Sequence, residues 1–244
     1  MKTRAIRIGA TGGPEALRLE EIDVPEPGAG QARVRQSAIG VNFIDVYHRS
    51  GLYPLPSLPH GLGSEGAGVV ESVGPGVTVV KPGDRVAYAG GAPGAYSGAR
   101  VIAADRLVRL PDGIEERTAA AMMLKGMTVE YLIRRTFPVT AGTTVLWHAA
   151  AGGVGLIACQ WLKAIGAVVI GTAGDDAKAE LARSHGCAHT IVYTRENVAE
   201  RVREITSGAG VAVVYDAVGR ATMDASFDSV ARRGMVVSFG NASG

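Results

Sequence analysis

At 244 residues the chain has room for one large domain or two ordinary ones, and 47% hydrophobic with 20% charged residues is a globular composition. A net charge of +2, with no Lys/Arg run, gives no general attraction to nucleic acid or to a membrane surface. No stretch nears the ~18 apolar residues of a membrane span and MKTRAIRI has no signal-peptide core, so a cytoplasmic protein is expected.

Residues 1–110 read as β-rich. TRAIRIG, LRLEEID, ARVRQSAIGV, GAGVVESVG, DRVAYAG and SGARVIAADRLVRL alternate or carry β-branched runs, and PEPGAG, PLPSLPHGLG and GGAPGA punctuate them. Short strands with Gly/Pro turns predict a barrel-like β domain. From Ile114 to Arg135 the spacing turns helical, predicting two helices broken near Lys125-Gly126, and the domain boundary is placed near Leu124. Domains of 1–123 and 124–244 follow.

Beyond Thr143 strand and helix alternate. Strands are predicted at Val145–Ala150, Val168–Thr172, Thr190–Tyr193, Val211–Asp216 and Met235–Ser238, with helices near Leu156–Ile165, Ala177–His185, Val198–Thr206 and Thr222–Ala231. This is the pattern of an α/β, doubly wound parallel sheet. A sixth strand would need more chain, so the sequence is expected to be a piece lacking its C-terminal tail. Cys159 and Cys187, in and just beyond predicted helices, indicate neither a disulfide framework nor a metal cluster.

The most informative stretch is residues 143–178. An apolar strand runs into Ala151, Gly152, Gly153, Val154 and Gly155, and a helix and a second strand follow. That order is the dinucleotide-binding βαβ unit, with Ala150 where the first glycine of G-x-G-x-x-G usually stands. Gly152 lets the backbone approach a pyrophosphate, Gly155 lets the helix lie close on the strand, and the helix N-terminus offers N–H groups and partial positive charge.

Several stretches together resemble the zinc-free branch of the medium-chain dehydrogenase/reductase superfamily, nearest the NADPH:quinone oxidoreductases related to zeta-crystallin. They are AIGVNFIDVYHRSGLYP, GLGSEGAGVVESVGPGV, KPGDRVAY, LKGMTVEYL, HAAAGGVGLIACQ and VVSFGN. The resemblance covers essentially the whole chain. It implies a GroES-like β-rich catalytic domain, here without its C-terminal return segment, followed by a Rossmann domain. It also implies NADPH as cofactor, a quinone or other electrophilic small molecule as acceptor, and a homodimer. Neither a nucleic-acid partner nor a membrane is expected.

Zinc-dependent relatives carry Cys where Asn42 stands and His-Glu where Ser64-Glu65 stands, and the five histidines show no ligand spacing, so no metal is expected. Without a Lewis acid the favoured chemistry is hydride delivery to an acceptor that is already electrophilic. At the tip of the second strand the family alignment places Ala173 and Gly174 where NAD-binding proteins usually carry an acidic residue. Lys178 and Tyr193 are then implied partners of a 2′-phosphate. Asp175 and Asp176 argue the other way, and their competing reading is N-capping of the next helix.

At the nicotinamide end the resemblance implies Asn42, Tyr47, Thr128 and Tyr131. Val218 after the fourth strand, and Phe239, Gly240 and Asn241 after the fifth, are candidates because they sit at the carboxyl ends of strands, where ligands gather in open α/β sheets. Asn42 and Tyr53 are the candidates facing the acceptor. Neither has a sequence neighbour that would tune a catalytic pKa, so positioning is the expected role. Two other readings share the scaffold: an NADPH-dependent enone or enal reductase, and a non-catalytic NADPH-binding module of the crystallin or RNA-binding type.

Overall fold

A computed structural model describes residues 1–244, in which the chain forms two compact units, Met1–Leu124 and Lys125–Gly244. In the first, strands β1 (Lys2–Ile8), β2 (Leu17–Asp23), β3 (Gln31–Gly40), β4 (His60–Gly61), β5 (Glu65–Val73), β6 (Arg85–Ala89), β7 (Ala99–Ala103) and β8 (Val108–Arg109) build two antiparallel sheets. Their orders are β7-β3-β5-β6-β8 and β2-β1-β4. Along β3, Ala32 and Val34 point into the core while Arg33 and Arg35 face outward, the period-2 pattern of a half-buried strand. Val70, Val86, Tyr88, Ile102 and Leu107 complete that core, each large side chain contributing about 1.5–3 kcal/mol on burial. Helix α1 (Phe43–Ser50) starts at Asn42 and ends at Gly51, whose φ of +86° closes it in the left-handed region.

Helix α2 (Glu116–Tyr131) carries the chain over the unit boundary without a break, correcting the expected pair of helices. Gly126 keeps its N–H and costs only about 1 kcal/mol relative to Ala, which lowers helix propensity without ending the helix. The helix closes instead in a π turn, Leu132–Thr136.

The second unit then alternates β9 (Thr144–Trp147), α3 (Gly153–Ile165), β10 (Val168–Ala173), α4 (Asp176–Ser184), β11 (His189–Val192), α5 (Val198–Ile205), β12 (Val211–Asp216), α6 (Met223–Ser229) and β13 (Val230–Ser238). All five strands are parallel, in the order β11-β10-β9-β12-β13. Successive residues of β9 face opposite sides. Val145 and Trp147 pack with Ala158 and Leu162 of α3, whereas Leu146 packs with Val198 and Val202 of α5. Covering both faces is what makes the strands continuously apolar.

Two boundaries differ from expectation. Strand β9 stops at Trp147, because Ala149 turns into the left-handed region at φ +53°. Strand β13 begins at Val230, before the Arg233 kink at φ +67°. Val211 pairs with Val230 but Val213 with Met235, so the intervening residues form a bulge. The thiols of Cys159 and Cys187 are buried and meet at 3.3 Å. No helix is long and apolar enough to cross a membrane.

Candidate functional site

The winding of the parallel sheet reverses between β9 and β12, and ligands in open α/β sheets gather at the carboxyl ends of the strands at such a point. A cleft of about 570 Å³ lies there, within the usual range for small-molecule sites. Its walls are the turn after β9, the tip of β10 and the loop after β12.

The turn is built around close approach. A Cβ on Gly155 would lie 2.6 Å from the Ala149 carbonyl oxygen and 2.5 Å from that of Ala150, so only glycine lets α3 pack onto this turn. Gly152 is the N-cap of α3 and provides no side chain to cap it. The N–H groups of the first turn, which includes Gly153 and Val154, are therefore available to an anion.

At the tip of β10, Gly174 faces Tyr193, and a Cβ there would come within 2.9 Å of the tyrosine hydroxyl. Lys178 lines the same end of the cleft. Asp175 caps α4, its Oδ1 accepting the Lys178 backbone N–H at 2.8 Å, and Asp176 pairs with Arg195. Both acidic side chains thus do what capping and surface pairing require. A dinucleotide fits these residues: glycines where a Cβ would collide, an uncapped helix N-terminus and a cation at the far end.

After β12, Asp216 is fully buried and accepts hydrogen bonds from Val218 N (2.8 Å), Gly219 N (3.0 Å), Thr222 Oγ1 (2.8 Å) and Ser226 Oγ (2.7 Å). Burial pushes its pKa up, but the donors outweigh this and hold the carboxyl below its ordinary value. Asp216 therefore shapes the loop, while Val218 lines the cleft. Beyond β13, the Phe239 ring lies 5.7 Å from that of Trp147, and its N–H reaches the Asp216 carbonyl at 2.9 Å. A Cβ on Gly240 would meet the Ala217 carbonyl oxygen at 2.9 Å, and one on Gly219 the Asn241 Cα at 3.2 Å. The two loops lie against each other.

The cleft of the second unit thus brings together Gly152, Gly174, Lys178, Tyr193 and Val218. Thr128, half-buried, and Tyr131, 41% exposed, lie on α2 in the same unit. Asn42, Tyr47 and Tyr53 belong to the first unit. The Tyr47 and Tyr53 rings stand 5.0 Å apart, and the Asn42 amide donates to Glu65 Oε2 at 2.7 Å. Sequence reading missed His148 and Thr172, both buried and lining the cleft. A polar residue closing an apolar strand just before the glycine turn was the available signal at His148.

Residues 28–112 match the alcohol dehydrogenase GroES-like domain family, and residues 153–244 match the zinc-binding dehydrogenase family. A quinone oxidoreductase of Pseudomonas aeruginosa is 58% identical over 99% of this chain and 74% of its own length. A 2-haloacrylate reductase of a Burkholderia species is 48% identical over 97% of this chain and 73% of its own. The crystal structure of Escherichia coli quinone oxidoreductase complexed with NADPH is 52% identical and superposes with a TM-score of 0.97, covering 99% of this chain and 74% of that one. The chain therefore belongs to the medium-chain dehydrogenase/reductase family, among the quinone oxidoreductases.

Proposed function

We propose that this protein is an NADPH-dependent quinone oxidoreductase acting without a metal. The observation that carries the reading is the cleft at the sheet's switch point, with α3's uncapped N-terminus at one wall and Lys178 at the end. Backbone N–H groups of Gly153 and Val154 hold the pyrophosphate, and Gly152, whose own N–H is bonded to the Ala149 carbonyl, gives it room to approach the backbone. Gly174, Lys178 and Tyr193 receive the 2′-phosphate. Val218, Phe239, Gly240 and Asn241, with Thr128, Tyr131, Asn42 and Tyr47, orient the nicotinamide. Bound there, NADPH supplies a hydride. Asn42 and Tyr53 steer the acceptor, and the protein's part is orientation and exclusion of water.

Metal independence is supported by the donor set. Asn42 supplies an amide and Ser64 a hydroxyl, neither a good zinc ligand, and nowhere do three His, Cys, Asp or Glu side chains gather. Strand β13 is a sheet edge with Met235 41% exposed, which supports a homodimer formed through that edge. A cytoplasmic location is part of the proposal, and the net charge of +2 supports an enzyme that engages neither nucleic acid nor membrane. The chain spans 74% of the length of the quinone oxidoreductases of Pseudomonas aeruginosa and Salmonella typhimurium.

A second reading, reduction of activated carbon–carbon double bonds, is favoured by the likeness to a 2-haloacrylate reductase. A panel of quinones, enones, haloacrylates and alcohols, assayed by loss of NADPH absorbance, separates the two. Turnover with quinones alone supports the first reading and turnover with enones alone the second. Zinc-dependent oxidation of alcohols would refute both.

A further inference from the structure

His148 is a buried titratable group that nucleotide binding as described leaves unused. It is 1% exposed, follows β9 directly and lines the cleft. Its Nδ1 lies 3.2 Å from Thr172 Oγ1 and its Nε2 lies 3.0 Å from Ser226 Oγ. The direction of every proton in this chain follows from its far end. An ionised carboxylate only accepts, so Ser226 gives its single proton to Asp216 at 2.7 Å. The Ser226 oxygen is then the acceptor, and His148 Nε2 must carry hydrogen. A neutral imidazole protonated on Nε2 presents Nδ1 as an acceptor, which the Thr172 hydroxyl fills. Thr172 Oγ1 accepts in turn the Ala149 N–H at 3.2 Å. Burial depresses the imidazole pKa, with the Asp216 carboxylate pulling the other way, and this keeps the ring neutral.

At that same far end Asp216 also accepts the N–H groups of Val218 and Gly219. One unbroken series of hydrogen bonds thus runs from Ala149, at the head of the glycine turn, to the loop after β12, crossing the ends of β10, β9 and β12.

We infer that His148, as its Nε2–H tautomer, is a positioning residue that locks the glycine turn to the loop after β12 and so sets the cleft's affinity for reduced dinucleotide. The inference rests on the nucleotide-binding reading. An imidazole suits the role because its two nitrogens reach opposite partners from one rigid ring, with one donating and one accepting.

Long-range nitrogen–proton spectra of uniformly labelled protein test the tautomer, and steady-state kinetics of Thr172→Val, Ser226→Ala and His148→Gln test the coupling. The expected results are an Nε2–H signature for His148 and a KM for NADPH raised about tenfold in Thr172→Val and Ser226→Ala, with kcat at saturation within about twofold of wild type. His148→Gln, which keeps a donor toward Ser226 and loses the acceptor for Thr172, should show the same split. An Nδ1–H or doubly protonated ring overturns the proposal. So does an unchanged KM in both Thr172→Val and Ser226→Ala while the wild type binds NADPH, a result that leaves the nucleotide-binding reading intact. Wild-type protein that ignores NADPH sinks both.

Discussion

Asp175 holds Lys178 twice, one carboxylate oxygen accepting its backbone N–H at 2.8 Å and the other pairing with its Nζ at 3.1 Å. The backbone donor, and then the ammonium, hold the Asp175 carboxyl below its ordinary pKa. Both side chains are at least half exposed, at 62% and 50%, so the ion pair is weak and the ammonium can exchange Asp175 for a phosphate. Lys178→Ala should raise the KM for NADPH about tenfold or more and leave that for NADH within about twofold. Asp175→Asn keeps a capping oxygen and removes the competing charge, so NADPH should bind a few-fold tighter. Steady-state kinetics with both cofactors checks this, and equal losses for both in Lys178→Ala would contradict it.

Ala149 sits at φ +53° without being glycine, at the head of the turn. An L-residue in the left-handed region costs about 1–2 kcal/mol. Ala149→Gly is therefore expected to leave stability unchanged or raise it by about 1 kcal/mol, after the added backbone entropy of the unfolded chain. Ala149→Val, β-branched, should destabilise by about 2 kcal/mol or more. Urea unfolding midpoints decide, and a strongly destabilised Ala149→Gly would show that the methyl packs usefully.

The strand–turn–helix order around Gly152–Gly155 was legible because its signals are local: an apolar run, glycines, then helical spacing. The Asp175 cap was legible for the same reason, needing only residues three apart. The continuity of α2 was not, because a mid-helix Gly weakens a helix without stating whether tertiary packing compensates. Neither was the end of β9. His148 finds its partners 24 and 78 residues away, a pairing that no local pattern announces. Tyr193 and Gly174, 19 residues apart, needed the family resemblance to be linked at all.

Asp216 makes acid the weak side of the second unit. Its folded pKa lies below the unfolded value, so its stabilisation is complete above the unfolded pKa of ~3.9 and is lost as pH falls through the lower, folded value. Asp216→Asn leaves several buried donors sharing one acceptor oxygen and should cost about 3 kcal/mol near neutral pH. The variant should also show a flatter loss of stability below about pH 4 than wild type. Parallel acid-unfolding curves for both proteins give this comparison.

The Tyr53 ring packs at a 54° tilt against that of Tyr47, and its backbone N–H is bonded to the Tyr47 carbonyl at 3.1 Å, which is a positioning arrangement. Tyr53→Phe should retain kcat within about threefold, since a general acid typically contributes a hundredfold or more. A drop of that size with NADPH binding intact would make the phenol a proton donor.

The central claim is that the cleft beside Gly152, with Lys178 at its end, takes NADPH and delivers its hydride to a quinone. The most direct measurement is kcat/KM for quinone-dependent cofactor oxidation, taken with NADPH and with NADH on metal-free protein. Rapid oxidation of NADPH, at least about tenfold more efficient than that of NADH, is the predicted result. No acceptor-dependent oxidation of either cofactor, or activity appearing only when zinc is restored, would contradict it.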